Sequence, residues 1–374
     1  ASAGESAAPF TMSPSLPAES NTSQMLNAMD GDFRYPTVFK TNLTAEFTSR
    51  NGWKARFDAL YTKTIHSARF RNVAVEPTGE WLQLTESDSP HKSLPMFKRA
   101  TSDYTAIYYM DNTSKGYSYS LAAELSKSFS FGLSLSASYI FGHSYSVCDV
   151  PSTSSSTNWT RGYAIDLNDE TLAISAYDIP HKFTFAASYH KRYAPLFDVT
   201  VGLVYQMVSG QAYSLCFGEG TDINGDGVFG STLMYIPTSE EMQSLQFADA
   251  ESGKQWETFI AADDYLSSHR GGFAERNAMR TPMEHHLDMH LSHGFYFGKA
   301  SRRKVEISID VINLANLICD DWGKVYNVAG WRQQPVKIER RENNQPVYRF
   351  TSSTLTTDDI LSRWHMQIGA RIVF

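Results

Sequence analysis

Nine stretches of this chain alternate apolar and polar side chains with a period of two, and that pattern more than any other limits the folds open to it. Successive side chains of a strand point to opposite faces, whereas an amphipathic helix repeats near 3.6 residues. Between 131 and 141, Leu133, Leu135, Ala137, Tyr139 and Phe141 alternate with Ser134, Ser136 and Ser138. Between 197 and 207, Val199, Val201, Leu203, Tyr205 and Met207 share one face and Asp198, Thr200 and Gln206 the other. Between 303 and 312, Val305, Ile307, Ile309 and Val311 oppose Glu306, Ser308 and Asp310. The end of the chain repeats the scheme, with Trp364, Met366, Ile368, Ala370, Ile372 and Phe374 against His365, Gln367 and Arg371. Similar patterns cover 39–48, 53–62, 116–127, 181–190 and 286–297. A strand that crosses a membrane in a tilted barrel needs roughly 9 to 11 residues, the length seen here.

Soluble sandwiches also alternate, so connection lengths decide between the two. Short turns fall near 49–52, 128–130, 193–196 and 298–302, and long connections near 63–103, 146–179, 210–284 and 316–360. Short and long strictly alternate, as in outer-membrane barrels with periplasmic turns and extracellular loops. The segment from Thr105 to Met110 would break this parity as a separate strand. It is therefore read as part of one long descending strand, 104–127, interrupted by a bulge at 111–116 above the membrane. Phe47, Trp53, Phe129, Phe131, Phe197, Phe297 and Phe374 then gather at the short-turn ends, where an interfacial aromatic girdle is expected. The expected fold is all-β: an antiparallel transmembrane β-barrel with long extracellular loops. Residues 1–38 are read as an extracellular loop or cut N-terminal segment, and 39–374 as the C-terminal part of the barrel.

Composition fits this fold. Aromatic residues reach 13% while charged residues stay at 20%, and no run of about 18 apolar residues offers a transmembrane helix. A net charge of -7 without clustered basic residues argues against nucleic acid as a partner. The first residues lack the basic and apolar regions of a signal peptide, so the start reads as a cut or processing point. Cys148, Cys216 and Cys319 are too few for a disulfide framework; free thiols are expected over a Cys148 to Cys216 bridge. Gly142-His143-Ser144 lacks a nucleophile elbow, so no enzyme is read here.

Nine strands are an odd number, and an open sheet would expose unpaired backbone to lipid. Further strands, from the same gene product or a separate chain, are expected to complete the barrel. Several motifs then give the chain a family likeness: DFRYPTVFK at 32–40, DNTSKGYSY at 111–119, YDIPHKF at 177–183 and DINGDG at 222–227, followed by Tyr235-Ile236-Pro237. RNAMRTPMEHHLD at 276–288, DVINLAN at 310–316 and the terminal Phe374 complete the set. In order and placement they resemble the C-terminal barrel of TonB-dependent outer-membrane transporters, especially the Oar-like group common in Bacteroidota. The resemblance implies a 22-stranded barrel, an N-terminal plug, a TonB-binding segment and nutrient import across the bacterial outer membrane. It also implies that the last strand, with Trp364 and Phe374, is the signal read by the barrel-insertion machinery. Neither the plug nor the TonB segment is visible in these residues. A passive porin-like or surface-assembly barrel, completed by another chain, is the alternative.

Three sets of residues are candidate sites. Asp222, Asn224 and Asp226, followed by Gly227, begin like a calcium loop, although the twelfth position is Leu233 instead of a bidentate Glu. The alternative there is a metal-free Asx turn. His286, Asp288 and His290 fall at about 6.6 Å intervals on one face of a strand. They are read as lumen-lining, with Leu287, Met289 and Leu291 outward, in preference to a zinc cluster with His285 and His293. Glu46, Lys54, Arg56, Glu124 and Asp310 point inward by the same parity, and Asn313 and Asn316 are expected to satisfy backbone where the eighth strand ends. The topology makes a direct prediction. On intact cells a membrane-impermeant thiol probe should label cysteine tags near Ser156, Gly253 and Asn343 but not near Ala300, and the opposite pattern would invert the barrel.

Overall fold

In an apolar medium every backbone N–H and C=O must be paired within the protein, and the strands of this chain meet that demand by pairing in sequence order. The computed structural model describes residues 24–86, 90–218, 220, 222–298, 303–342 and 345–374. Residues 1–23, Ala300, Asn343 and most of the turn at 298–302 lie outside the described residues.

The wall consists of β1 (Thr37–Thr48), β2 (Trp53–Asn72), β3 (Ala106–Thr113), β4 (Tyr117–Ser128), β5 (Leu133–Ser146) and β6 (His181–Ala194). It continues with β7 (Phe197–Val208), β8 (Glu284–Phe297), β9 (Arg303–Ile312) and β10 (His365–Val373). Neighbouring strands pair antiparallel throughout, with β3 and β4 running in the same direction one after the other along one edge of β2. The sheet is open: among the described residues the outer edges of β1 and β10 have no partner.

The register produces two faces. Leu133, Tyr189, Val201, Leu291, Ile309 and Ile368 stand side by side across six strands. One residue along, the neighbouring row reads Ser134, Ser188, Gly202, His290, Asp310 and Gln367. Leu43, Phe57, Leu121, Ile307 and Ile368 are exposed on the apolar face. Leaving such surface in water forgoes about 25 cal/mol per Å², whereas lipid would receive it without that cost. Trp53 and Phe129, near the short turns, lie under the ammonium of Lys127 at 5.0 and 4.7 Å. Tight turns join the strands at that end, with Gly52 at φ 77° and Gly132 at φ 102°, a region costly for residues with a Cβ.

The segment 104–127 forms two strands on one continuous edge. β4 pairs with 53–63 of β2, and β3 pairs with 67–72. At the break between them Thr64 N–H donates to Gly116 O and the Lys63 ammonium to Ser114 O. β2 thus extends well beyond 62, and within the segment read as a loop Met25–Met29 pairs in parallel with β3.

The long connections are folded structure. Val75–Gln83 and Ser93–Arg99 make a hairpin. A five-stranded sheet runs Gln246–Phe247, Gln345–Phe350, Arg332–Glu342, Ala212–Phe217 and Met279–Arg280. The helix Ala250–Ala261 begins at Asp249, whose carboxylate accepts the N–H groups of Glu251 and Ser252, satisfying donors that a helix start leaves free. Trp256 and Ile260 of that helix pack with Leu82, Leu215, Phe217 and Tyr348 in one buried core. Three long connections contribute to it, and the Tyr348 hydroxyl donates to Leu84 O at 2.8 Å. Trp256, 1% exposed, stacks obliquely on Tyr348 at 5.3 Å. Trp256→Ala should destabilise the loop domain by about 3–5 kcal/mol, seen as faster cleavage by external protease. The heat resistance of the barrel should be unchanged; a loss of barrel heat resistance instead would show that loops and wall are one cooperative unit.

Candidate functional site

Where the wall meets the folded loops, buried polar side chains tie one to the other. Asp111 accepts both guanidinium forks of Arg69 at 3.0 Å and that of Arg71 at 2.6 Å. Asp178, 2% exposed, takes Ser144 N–H at 2.6 Å, lies 3.2 Å from His143 Nδ1 and pairs with Arg280. Asn277 holds a left-handed backbone, φ 58°, and donates to Ile174 O at 2.8 Å. Asn313, also left-handed, donates through its amide to Gly323 O and Ser362 O, while its N–H bonds Asp288 Oδ1 at 2.8 Å. Asn316 caps the carbonyls of Asp320 and Trp322. The motifs at 111–119, 177–183, 276–288 and 310–316 therefore share one structural task, bracing this rim.

On the polar face, His286, Asp288 and His290 stay on one side of β8 but do not converge. His286 lies 3.6 Å from Glu284, Asp288 receives Asn313, and His290 Nδ1 is 2.6 Å from Asp310 Oδ1. His285 and His293 fall on the opposite face, bonded to the hydroxyls of Tyr205 and Tyr193. Among the described residues no group of three His, Cys, Asp or Glu side chains could hold a metal. Near β1 and β2, Arg56 bridges Glu46 at 3.4 Å and Asp58 at 2.7 Å, with Glu124 next in the row. The sequence reading missed a second cluster on this face. The Lys304 ammonium lies 3.0 Å from Asp198 and 2.6 Å from Glu306, and the Tyr296 hydroxyl donates to Asp198 at 2.6 Å. Gly294 makes room for it, since a Cβ there would meet Asp198 Oδ1 at 2.2 Å. Strand parity alone could have flagged these residues.

Among the loops lies a cavity of about 840 Å³. Its lining includes Arg69, Tyr117, Tyr145, Trp159, Tyr163 and Arg276. Tyr117 and Tyr145 stack at 4.9 Å. Burial pushes the Tyr163 hydroxyl up to about 12 and opposes the charge on Arg276. That guanidinium is held by the carbonyls of Ser146, Val147 and Gly162. Aromatic walls with a few fixed polar groups suit a small ligand, and the volume is in the ordinary range for one. No local signal announces the cavity, because its walls come from distant segments.

The calcium-like turn sits in the same loop assembly. Asp222 accepts Gly225 N–H at 2.7 Å and Gly227 N–H at 2.8 Å through its two oxygens, and Asp226 accepts Val228 N–H at 2.8 Å. Burial, with the charges of Asp222 and Asp166, pushes the Asp226 carboxyl up to about 6. Asn224 is fully buried. Trp364 N–H reaches Asn316 Oδ1 at 3.4 Å just before β10, and Phe374 is exposed beyond its end. Cys148, Cys216 and Cys319 are free thiols, and burial pushes Cys216 up to about 12.

A family model described as an outer membrane beta barrel domain matches residues 1–318. Among solved structures, one similar chain is titled "NanC porin structure in rhombohedral crystal form", at 10% identity over 74% of this chain and 84% of that one, with a TM-score of 0.18. A likeness at that score carries no argument about fold or function. Comparison with curated proteins gives no match.

Proposed function

This chain belongs to the outer membrane beta barrel domain family and lies in the bacterial outer membrane, and from that premise we propose that it forms the C-terminal part of a TonB-dependent nutrient transporter. The observations that support the transport reading are the ligand-sized cavity among the loops and the polar row that continues across the sheet from Ser134 to Gln367. A wall whose only task was mechanical would need neither an aromatic-lined chamber nor a hydrophilic inner surface. In this reading the loops capture a scarce solute, and the polar rows that include Arg56, Glu124, His290 and Asp310 become the lumen. The chain performs no chemistry on its cargo.

Energy coupling is supported by the ordered motifs that the chain shares with TonB-dependent barrels. Strands beyond the edges of β1 and β10 close the barrel, and a plug fills it; both would be supplied by the rest of the same gene product. The last strand, ending on Phe374, is the segment the insertion machinery would read. A passive barrel completed by a separate chain is the competing reading, and the two differ in a measurable way. The full-length protein purified in detergent should bind the purified C-terminal domain of its own organism's TonB, and should show no steady ion conductance in planar bilayers because a plug closes it. A permanently open channel that does not bind TonB would sink active import and leave the passive pore.

A further inference from the structure

We propose that the turn at 222–228 binds one calcium ion through side-chain oxygens of Asp222, Asn224 and Asp226, and that the bound ion locks four extracellular connections together. The site is independent of how the barrel is energised. It would be a structural clamp on the outside of the cell.

The first observation is an acceptor with no donor. Asn224 is 0% exposed, and its Oδ1 has no hydrogen-bond partner. Its amide nitrogen donates to Ile165 O at 3.5 Å and hydrogen-bonds the Asp226 carboxylate, so Oδ1 is the one polar atom of this side chain left without a partner. Buried polar atoms are nearly always satisfied, so an orphan of this kind calls for a partner. A cation supplies one, because a carbonyl oxygen needs only positive charge opposite it.

The second observation is uncompensated negative charge around that oxygen. Asp226 is 5% exposed, and neither it nor Asp222 forms a salt bridge among the described residues. Asp166, from the connection at 146–179, adds a third carboxylate whose charge is felt at Asp226. The backbone bonds to Asp222 and Asp226 use one lone pair on each engaged oxygen and leave others for a metal. Oxygens from alternate residues of D-x-N-x-D-G around a glycine turn match the first half of a calcium loop. Gly225 and Gly227 take φ of 82° and 83°, which lets the chain wrap inward. All the donors are hard oxygens on an irregular loop, which suits calcium better than magnesium with its strict octahedral demand. Leu233 at the twelfth position brings no oxygen, so water would complete the shell.

The third observation is what the turn touches. Phe97 N–H, in the hairpin of the first long connection, donates to Asn224 O at 2.6 Å. A Cβ on Gly225 would meet Phe97 O at 2.2 Å, so the two backbones are in close contact. Ile165 approaches from the second connection, and the Arg341 guanidinium bonds Ile223 O from the last. Filling the turn therefore fixes the point where these connections meet.

The test uses the full-length protein in detergent, free of lipopolysaccharide, with calcium chloride, magnesium chloride or EGTA added. Equilibrium dialysis with radioactive calcium should show saturable binding to the parent that Asp226→Asn weakens at least tenfold. External protease should cut within 210–284 at least tenfold faster in EGTA than in calcium, and magnesium should not replace calcium. Asn224→Asp separates a metal site from a turn. A third carboxylate buried in a metal-free turn would leave the loop protease-sensitive in every buffer, whereas a metal site predicts sensitivity in EGTA and rescue by calcium. Parent cleavage that is equal in calcium and EGTA, binding unchanged by Asp226→Asn, or equal protection by magnesium would overturn the proposal.

Discussion

The structure depends on the backbone ladder that runs unbroken from β1 to β10. In hydrocarbon no water is present to satisfy an unpaired amide, so the pairing of each strand with its neighbour is obligatory. Once that ladder exists, the period-two alternation must place every apolar row on one surface and every polar row on the other, because a slip of one residue would exchange the faces. The row from Leu133 to Ile368 and the adjacent row from Ser134 to Gln367 are consequences of one register. Among the described residues the outer edges of β1 and β10 carry no partner, and backbone in that state is costly against lipid.

At the outer end the problem changes, because water is present and strands can stop. There the chain uses buried polar groups in place of lipid burial. Asp178 and Asp111 are paired with arginines, and Asn277 and Asn313 bond carbonyls that would otherwise be orphaned. Removing one partner from such a pair leaves a buried charge or acceptor unmet, commonly a loss of about 3–5 kcal/mol. These residues keep the rim in register with the loops, and they give the cavity its walls. The motifs at 111–119, 177–183, 276–288 and 310–316 thus have a structural explanation in this bracing.

The sequence and the structure agree most closely where information is local. Alternation in residues such as Val199 to Met207 depends on near neighbours and showed the strands, and connection length separated the two ends of the wall. The choice to join 104–127 followed from parity, and the shared edge on β2 agrees with it. Reading His286, Asp288 and His290 as one strand face, with His285 turned away, likewise needed only the pleat. The loop domain was not legible, because Tyr348 meets Leu84 and Lys92 meets Glu241 across hundreds of residues or more than a hundred. Nothing in either segment alone encodes such a contact. The cavity was hidden for the same reason, and the pairing of Met25–Met29 with β3 is also non-local. The DINGDG turn lies between these cases: its spacing is local, but the orphaned Asn224 oxygen appears only when the loops pack.

The central claim is that the two faces of the sheet meet two different media. Nitroxide labels placed one at a time from Val199 to Gln206 on β7, in the full-length protein reconstituted in lipid bilayers, measure this directly through relaxation by oxygen and by a water-soluble nickel chelate. High oxygen accessibility at Val199, Val201, Leu203 and Tyr205, alternating with low oxygen accessibility at Thr200, Gly202, Val204 and Gln206, is the predicted result. Equal oxygen accessibility along the strand, or a repeat near 3.6 residues, would contradict the account.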